Sequence, residues 1–266
     1  MLVNKGASGY HSAMLNQIVH GEKTDQPDLL IVHGLYGSGR NWGVISKRLS
    51  DGRRVIAVDQ RNHGFSPQSD QHGYPDMAED LAQVIRENGA PMDVIGHSMG
   101  GKAAMVLAIK YPELVNSLVV ADIAPVSYGH SQGHYITAMK SVDLDKVQKR
   151  SDAEAQLRDM VDDPTLPVFF SQSLDVAGKK WRLNLDALAA EMPKILSFPQ
   201  VDGQFDGPVL FLSGANSDYV LPEHRPQIKA LFPNANFAKI PGAGHWLHAE
   251  KPREFEAAVR VWLDRK

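Results

Sequence analysis

Short runs of apolar residues recur along the chain, and each run ends in a polar or glycine-rich turn. Residues 29–32, 54–58 and 117–121 are such runs, and their continuous hydrophobicity is typical of strands buried on both faces. Between them lie amphipathic segments such as residues 76–88, whose apolar side chains fall on one helical face and which Gly89 terminates. This alternation predicts the α/β class, with a mostly parallel central sheet flanked by helices.

The alternation of strands and helices is interrupted once. Residues 126–199 show helical patterns only, and buried strands resume after them. We therefore predict a core formed by residues 14–125 and 200–266, with residues 126–199 as a helical lid inserted after the sixth strand. Residues 14–20 alternate well enough for an edge strand. Residues 1–13 are small, polar and aperiodic, and we interpret them as a tail or an expression scar.

Two helix starts and a set of pocket residues are predicted for the lid and the loops near it. Residues 151–154 form a Ser-x-x-Glu capping box that predicts a helix over residues 155–161, and Asn184 or Asp186 begins another helix. Large side chains of the lid and of the glycine-rich loops are candidates for the wall of a substrate pocket. The candidates are His33, Tyr36, His97, Phe169, Phe170, Trp181 and Trp246.

Composition and charge exclude several classes of function. The 266 residues include no cysteine, which rules out disulfides, thiolate metal ligands and a cysteine nucleophile. The net charge is −3 and no basic run is present, so we predict no nucleic-acid partner. We find no long apolar span and no signal-peptide pattern, which predicts no membrane span and a cytoplasmic location. The oligomeric state stays open between a monomer and a small homo-oligomer.

A Gly-x-Ser-x-Gly pattern centres on Ser98. Apolar residues precede it and an alanine-rich helical segment follows it, so the serine stands between a strand and a helix. Glycines two positions before and after the serine allow a turn tight enough to expose its hydroxyl. A chance match in a flexible loop is the alternative, but the flanking elements are those that the pattern requires. We predict that Ser98 is a nucleophile.

A second glycine-rich loop follows the strand at residues 29–32. It lacks the Gly-Lys-Ser/Thr end of a phosphate-binding loop. We prefer the interpretation that Gly34 lets the backbone pass close to Ser98, so that the amides of Leu35 and Met99 form a two-donor oxyanion hole. A simple turn is the alternative.

A serine nucleophile needs a base, and the chain offers eleven histidines. His245 follows the last strand in a glycine-rich loop, which places it at the same edge of the sheet as Ser98. His97 is next to Ser98, but adjacent side chains on such a turn point apart. His130 and His134 have the spacing of metal ligands, yet no glutamate lies between them and no third ligand is apparent, so we predict no metal.

The acid that orients the histidine is less certain from the residues alone. Asp122 follows the strand at residues 117–121, and Asp218 lies in the loop after residues 208–214; both are candidates to hold His245. Asp59 and Arg61 follow another buried strand, and we interpret them as a local salt bridge that shapes a loop.

These motifs together resemble the α/β-hydrolase superfamily from Met14 onward. The resemblance rests on His33-Gly34, on the run from Asp59 to Ser66, on Gly96-His97-Ser98-Met99-Gly100-Gly101 and on Gly242-x-Gly244-His245. More narrowly, residues 33–38, 59–64 and 181–184 are similar to the bacterial YbfF-type esterases and the related ABHD11-type hydrolases. This resemblance implies that Asp122 is the acid and that Ser217 assists it. Asp218 departs from the family pattern.

The sequence as a whole predicts a serine carboxyl-ester hydrolase that works through an acyl-enzyme on small to medium acyl esters, without a cofactor. The same residues also fit acyl thioester hydrolysis, C–C bond hydrolysis, peracid formation or a ligand receptor that has kept the fold without the activity. Haloalkane dehalogenase and epoxide hydrolase chemistry are disfavoured, because both need a carboxylate where Ser98 stands.

Overall fold

A seven-stranded sheet lies at the centre of the part of the chain that the computed structural model describes, residues 14–129 and 132–266. The predicted tail, residues 1–13, lies outside the described residues. The strand order is β1-β3-β2-β4-β5-β8-β9. The strands of this sheet are β1 (Gln17–His20), β2 (Leu29–Val32), β3 (Val55–Val58), β4 (Met92–His97), β5 (Val115–Ala121), β8 (Val209–Gly214) and β9 (Ala235–Ile240).

The pairing of the strands confirms the predicted fold class. Strand β1 runs antiparallel to β3 at one edge, and every other neighbouring pair in this sheet is parallel. Strands β2, β3, β4 and β8 are buried along their whole length. Their side chains meet helices on both faces, which explains why the sequence shows continuous apolar runs rather than alternation.

Helices cover both faces of the sheet. In chain order they are α1 (Gly43–Leu49), α2 (Tyr74–Asn88), α3 (Met99–Lys110), α4 (Gly133–Lys140), α5 (Arg150–Arg158), α6 (Leu166–Ser171), α7 (Leu185–Ala190), α8 (Met192–Leu196), α9 (Arg225–Leu231), α10 (Leu247–Glu250) and α11 (Pro252–Leu263). Leu30 and Val32 of β2 pack with α2 and α3 on one face, whereas Leu29 and Ile31 pack with α1 and α11 on the other. Four short 3₁₀ turns join these elements among the described residues.

The segment between β5 and β8 differs from its prediction in three details. It holds α4–α8 but also a two-stranded sheet, β6 (Leu174–Asp175) and β7 (Lys180–Trp181), so the expectation of helices only was wrong. Strands of two residues are too short to leave a periodic pattern. The segment also follows the fifth described strand rather than the sixth. Its limits at residues 126 and 199 remain a prediction.

Of the two predicted helix starts in this segment, the first is corrected and the second agrees with one of its two alternatives. Helix α5 begins at Arg150 with Lys149 as its N-cap residue, and the carboxylate of Asp152 in its first turn accepts the backbone N–H groups of Gln148 and Lys149. The predicted Ser151 box is therefore not formed, because Ser151 already lies inside the helix. Asn184, not Asp186, precedes α7 and accepts the amide of Ala187.

Within residues 14–129 and 132–266, no helix is both long enough and apolar enough to cross a membrane.

The turn between β4 and α3 generates a prediction for stability. A β-carbon on Gly96 would lie 2.4 Å from the carbonyl oxygen of Gly100, where the obstacle is backbone. We expect Gly96→Ala to lower the free energy of unfolding by about 1–3 kcal/mol, measured by urea denaturation, because overpacking forces the backbone to move. Gly43→Ala is the control, since nothing lies within 4 Å of its added carbon. Equal losses in the two variants would contradict the steric explanation.

Candidate active site

Ser98 stands at the tip of a sharp turn between β4 and α3, as the sequence pattern predicts. Its backbone has φ 53° and ψ −120°, in a left-handed region that is strained for a residue with a side chain. Its amide donates to the carbonyl of Ala121 on β5 at 3.1 Å. The turn closes because Gly100 has no side chain: a β-carbon there would lie 2.3 Å from the carbonyl oxygen of Val32. The strained serine is therefore held by the sheet on two sides.

A line of hydrogen bonds connects Ser98 to two side chains from distant parts of the chain. Nε2 of His245 lies 3.0 Å from Oγ of Ser98. Nδ1 of the same ring lies 2.7 Å from Oδ2 of Asp122. His245 follows β9 and Asp122 follows β5, so both come from the carboxyl ends of parallel strands at the same edge of the sheet. Asp122 is completely buried.

The carboxylate of Asp122 has two further partners, which leaves it fully hydrogen-bonded. Its Oδ1 accepts the amide of Gly214 at 3.1 Å, and its Oδ2 accepts the hydroxyl of Ser217 at 2.5 Å. Asp218, the other candidate from the sequence, is exposed to solvent. The geometry therefore brings Asp122 to Nδ1 of His245 and Ser217 to the carboxylate of Asp122, whereas Asp218 lies in solvent.

Leu35 and Met99, the two predicted oxyanion donors, lie on the segments that flank Ser98 in the structure. Met99 is the first residue of α3, where a helix leaves its N–H groups without intrahelical partners. Leu35 follows Gly34, and a β-carbon on Gly34 would lie 3.3 Å from Cβ of Ser98. Leu35, Met99, Ser98 and His245 line the same cavity. The predicted oxyanion donors thus belong to residues that line the same cavity as Ser98, and their role stays a prediction.

Two buried histidines hold the loop that carries Leu35. The amide of Tyr36 donates to Nε2 of His63 at 3.1 Å, and the amide of Gln60 donates to Nε2 of His33 at 2.9 Å. Because a backbone N–H can only donate, both Nε2 atoms are unprotonated acceptors. Each Nδ1–H in turn donates to a carbonyl, that of Gly34 for His33 and that of Arg61 for His63. Both imidazoles are therefore neutral structural groups.

A cavity of about 90 Å³ opens onto Ser98 and His245. Six of the seven predicted pocket residues line it: His33, Tyr36, His97, Phe169, Phe170 and Trp246. Trp181 does not line it, so that prediction was wrong. The indole of Trp181 belongs to strand β7 opposite Leu174, and its Nε1–H donates to the carbonyl of Met139 at 3.0 Å. The indole ring of Trp181 therefore connects α4 to the hairpin formed by β6 and β7.

Comparison with known proteins identifies the family of this chain. A family profile described as "alpha/beta hydrolase fold" matches residues 27–252, most of the chain. This chain belongs to the α/β-hydrolase family. The mouse protein named sn-1-specific diacylglycerol lipase ABHD11 is 44% identical over 89% of this chain and 81% of its own length. The Escherichia coli protein named esterase YbfF is 37% identical over 93% of this chain and 97% of its own length.

A solved structure gives the same picture for the fold. The structure titled "Marine microorganism esterase" superposes with a TM-score of 0.87 at 38% sequence identity, and the match covers 93% of this hydrolase and 98% of that chain. These proteins confirm the predicted resemblance to the YbfF-type and ABHD11-type groups.

Two contacts of His245 were not expected from the sequence of this hydrolase. The ring of Tyr219 stacks on the imidazole with centroids 3.7 Å apart and planes 17° apart. Behind it, Nε2 of His97 lies 2.8 Å from the backbone carbonyl of His245 and supports the loop. No local motif marks either contact, because each depends on loops after different strands. The only available signal was that Tyr219 lies two residues after Ser217, in a loop that already held candidate residues.

Arg61 also differs from its prediction. Its guanidinium pairs with the carboxylate of Asp80 on α2 at 2.7 Å rather than with Asp59. Asp59 instead accepts backbone amides from Gly39 and Phe65, at 2.9 and 3.0 Å. The two residues still shape the loop, but as separate groups.

The described residues contain no group of three histidine, aspartate or glutamate side chains able to hold a metal ion. His130, one of the two histidines whose spacing is that of metal ligands, lies outside the described residues.

Five buried histidines share one electrostatic property. Removal from water disfavours the charged imidazolium, so burial lowers the pKa of each one: His33, His63, His72, His97 and His248. The pKa falls well below its usual value for His63 and His97 and to about 3 for His72 and His248. The unfolded chain, with ordinary histidines, therefore binds more protons than the native protein below about pH 6.5.

This difference predicts steep loss of stability in acid. Each buried neutral histidine adds about 1.4 kcal/mol per pH unit to the slope of unfolding free energy against pH, once the pH is well below 6.5, and stability falls as the pH falls. His248→Phe should reduce that slope by one such increment between about pH 6 and pH 5, while a phenyl ring keeps the stack on Trp42. Denaturant unfolding across this range measures it.

The matched control is His134→Phe, which removes an exposed imidazole and should leave the slope as in the wild type. A slope for His248→Phe equal to that of the wild type would contradict the neutral state of His248.

Proposed function

We propose that this chain is a serine carboxyl-ester hydrolase that works through an acyl-enzyme on small to medium acyl esters. The observation that carries the proposal is the continuous hydrogen-bonded line from Asp122 through His245 to Ser98, which ends at a cavity. The relatives named esterase and lipase support the same reaction class.

In the first half of the reaction, Oγ of Ser98 attacks the ester carbonyl carbon while Nε2 of His245 takes the hydroxyl proton. The carbonyl oxygen becomes an oxyanion, and the amides of Leu35 and Met99 donate to it. When the tetrahedral intermediate collapses, His245 returns the proton to the leaving alcohol and the acyl group stays on Ser98. In the second half, a water molecule gives a proton to His245 and attacks the acyl-enzyme, which releases the acid and restores Ser98.

Asp122 supplies the orientation that this proton transfer needs. Its carboxylate accepts Nδ1–H of His245, which leaves Nε2 free to take the proton of Ser98, and its negative charge stabilises the imidazolium that forms. Ser217 and the amide of Gly214 hold the carboxylate in place. We assign to Ser217 the role of assisting the acid and to Asp218 no part in the chemistry.

We further propose that residues 126–199 act as a lid over this site. Tyr135, Leu166, Phe169 and Phe170 from that segment line the cavity opposite Ser98. The cavity has a volume of about 90 Å³, which favours short acyl groups. The residues assigned to the reaction supply nucleophile, base and oxyanion donors, so the proposed steps use no cofactor.

The proposed nucleophile predicts covalent labelling. A fluorophosphonate probe should label the wild-type protein at Ser98, and the Ser98→Ala variant should lose both the label and hydrolysis of p-nitrophenyl acetate and butyrate, because no other described serine is paired with His245. Intact-protein and peptide mass spectrometry locate the label. Ser151→Ala, at an exposed position, is the control and should be labelled normally. A wild-type protein that stays unlabelled and inert on these esters would refute the proposed function.

The assignment of the acid predicts a sharp contrast between two carboxylates. Asp122→Asn should lower turnover by about 10⁴-fold, since the amide presents the wrong hydrogen-bonding group to Nδ1 of His245. Asp218→Asn should stay close to the wild type, because that side chain is exposed. Steady-state kinetics on p-nitrophenyl butyrate compares them, and a large loss in the second variant alone would reverse the assignment.

A further inference from the structure

One buried charge in the cavity has no part in the reaction steps above. Lys102 lies on α3 four residues after Ser98, so the two residues share a helical face about one turn apart. Its side chain is 2% exposed and lines the same cavity as Ser98. Its Nζ donates to the carbonyl of Ser197 at 2.8 Å and more weakly to that of Leu196 at 3.4 Å.

No carboxylate balances the charge of Lys102 within the described part of the chain. No aspartate or glutamate oxygen there lies within 4.0 Å of its amine, and no acidic residue lines the cavity. The cavity-lining histidines His33, His97 and His248 have lowered pKa values and do not compete for an anion. Among the described residues, Lys102 is thus the one lysine or arginine that lines this cavity.

The neighbours of Lys102 satisfy it only in part. Two carbonyls at the end of α8 use two of the three N–H donors of an ammonium group, which leaves one for a further acceptor. The rings of Tyr128 and Tyr74 lie 4.8 and 5.7 Å from Nζ and offer weaker attraction. Burial lowers the pKa of Lys102 to about 7. An apolar side chain would fill this position without that penalty if packing were its sole purpose.

We propose that Lys102 binds a carboxylate at the far end of the substrate's acyl group, so that the site prefers monoesters of short dicarboxylic acids. This inference rests on the proposed ester hydrolysis and adds to it the chemical class of the acyl group. With the ester carbonyl at Ser98, the chain runs along the cavity towards α8, and its terminal carboxylate accepts the remaining N–H of Lys102. The anion then supplies the negative charge that the cavity lacks.

The test compares substrates that differ in charge but hardly in shape. Monoethyl succinate and monoethyl glutarate are paired with the ethyl esters of succinamic and glutaramic acid, in which a neutral amide replaces the carboxylate, and ethanol release gives kcat/KM. For at least one chain length we expect the wild-type protein to favour the acid over the amide by about 10-fold or more, the usual effect of a hydrogen bond to a charged group.

Variants assign that preference to one side chain. Lys102→Met keeps the length of the side chain without its charge and should bring the acid-to-amide ratio close to one. Lys110→Met, on the same helix but paired with Glu79 at the surface, should keep the wild-type ratio. An acid-to-amide ratio near one in the wild-type protein, or a ratio unchanged in Lys102→Met, would overturn the proposal. If Lys102→Met does not fold, the acid-to-amide ratio of the wild-type protein decides the outcome by itself.

Two further measurements separate this proposal from the proposed function. Hydrolysis of p-nitrophenyl acetate without any acid preference would overturn the role of Lys102 and leave ester hydrolysis standing. Calorimetry with Ser98→Ala tests recognition without turnover: monoethyl glutarate should bind at least about 10-fold more tightly than the ethyl ester of glutaramic acid. Tighter binding of the acid supports the carboxylate site at Lys102 even if no ester is hydrolysed. Equal binding of the acid and the amide counts against that site.

Discussion

The close approach of helix α3 to the sheet is the constraint on which the candidate site depends. Glycines at positions 96 and 100 let two stretches of backbone come nearer than any side chain permits. This contact forces Ser98 into a strained conformation at the tip of the turn and sets the first amide of α3 beside it. A strained, rigid position is the condition under which a hydroxyl and an oxyanion donor keep the same relative geometry through a reaction.

Parallel strands supply the other half of the arrangement. Residues after β5, β8 and β9 meet at one edge of the sheet, so Asp122, Ser217 and His245 come together although up to 123 positions separate them. Neutral buried histidines then hold the loops around this edge: His33 and His63 accept backbone amides, and His97 supports the carbonyl of His245. The hydrogen bonds that hold these loops need neutral imidazoles. The loops around the site therefore become less stable as the pH falls.

The cavity combines apolar walls with one buried amine. Aromatic side chains of the proposed lid line the same cavity as Ser98, and Lys102 lies where α3 meets the end of α8. The same lysine thus connects the helix that begins at the proposed nucleophile with the segment over the cavity. A ligand that binds the amine of Lys102 therefore lies close to both α3 and the proposed lid.

The amino-acid sequence alone determined the features that depend on local pattern. Buried strands such as β2 and β3, the strand–turn–helix around Ser98 and the amphipathic helix α2 follow from apolar runs, glycines and helical periodicity, which need no distant partner. The two-residue strands β6 and β7 were missed because such short elements have no periodicity. The family resemblance implied Asp122 as the acid, and the tertiary structure places the carboxylate of Asp122 against His245. Only the tertiary structure put Trp181 outside the cavity and stacked Tyr219 on His245. The contacts of His245 depend on how the ends of separate strands are arranged in space, which the pairing of strands such as β5 and β8 decides. The position of Trp181 depends on the packing of α4 against the β6–β7 hairpin. The spacing along the chain decides neither.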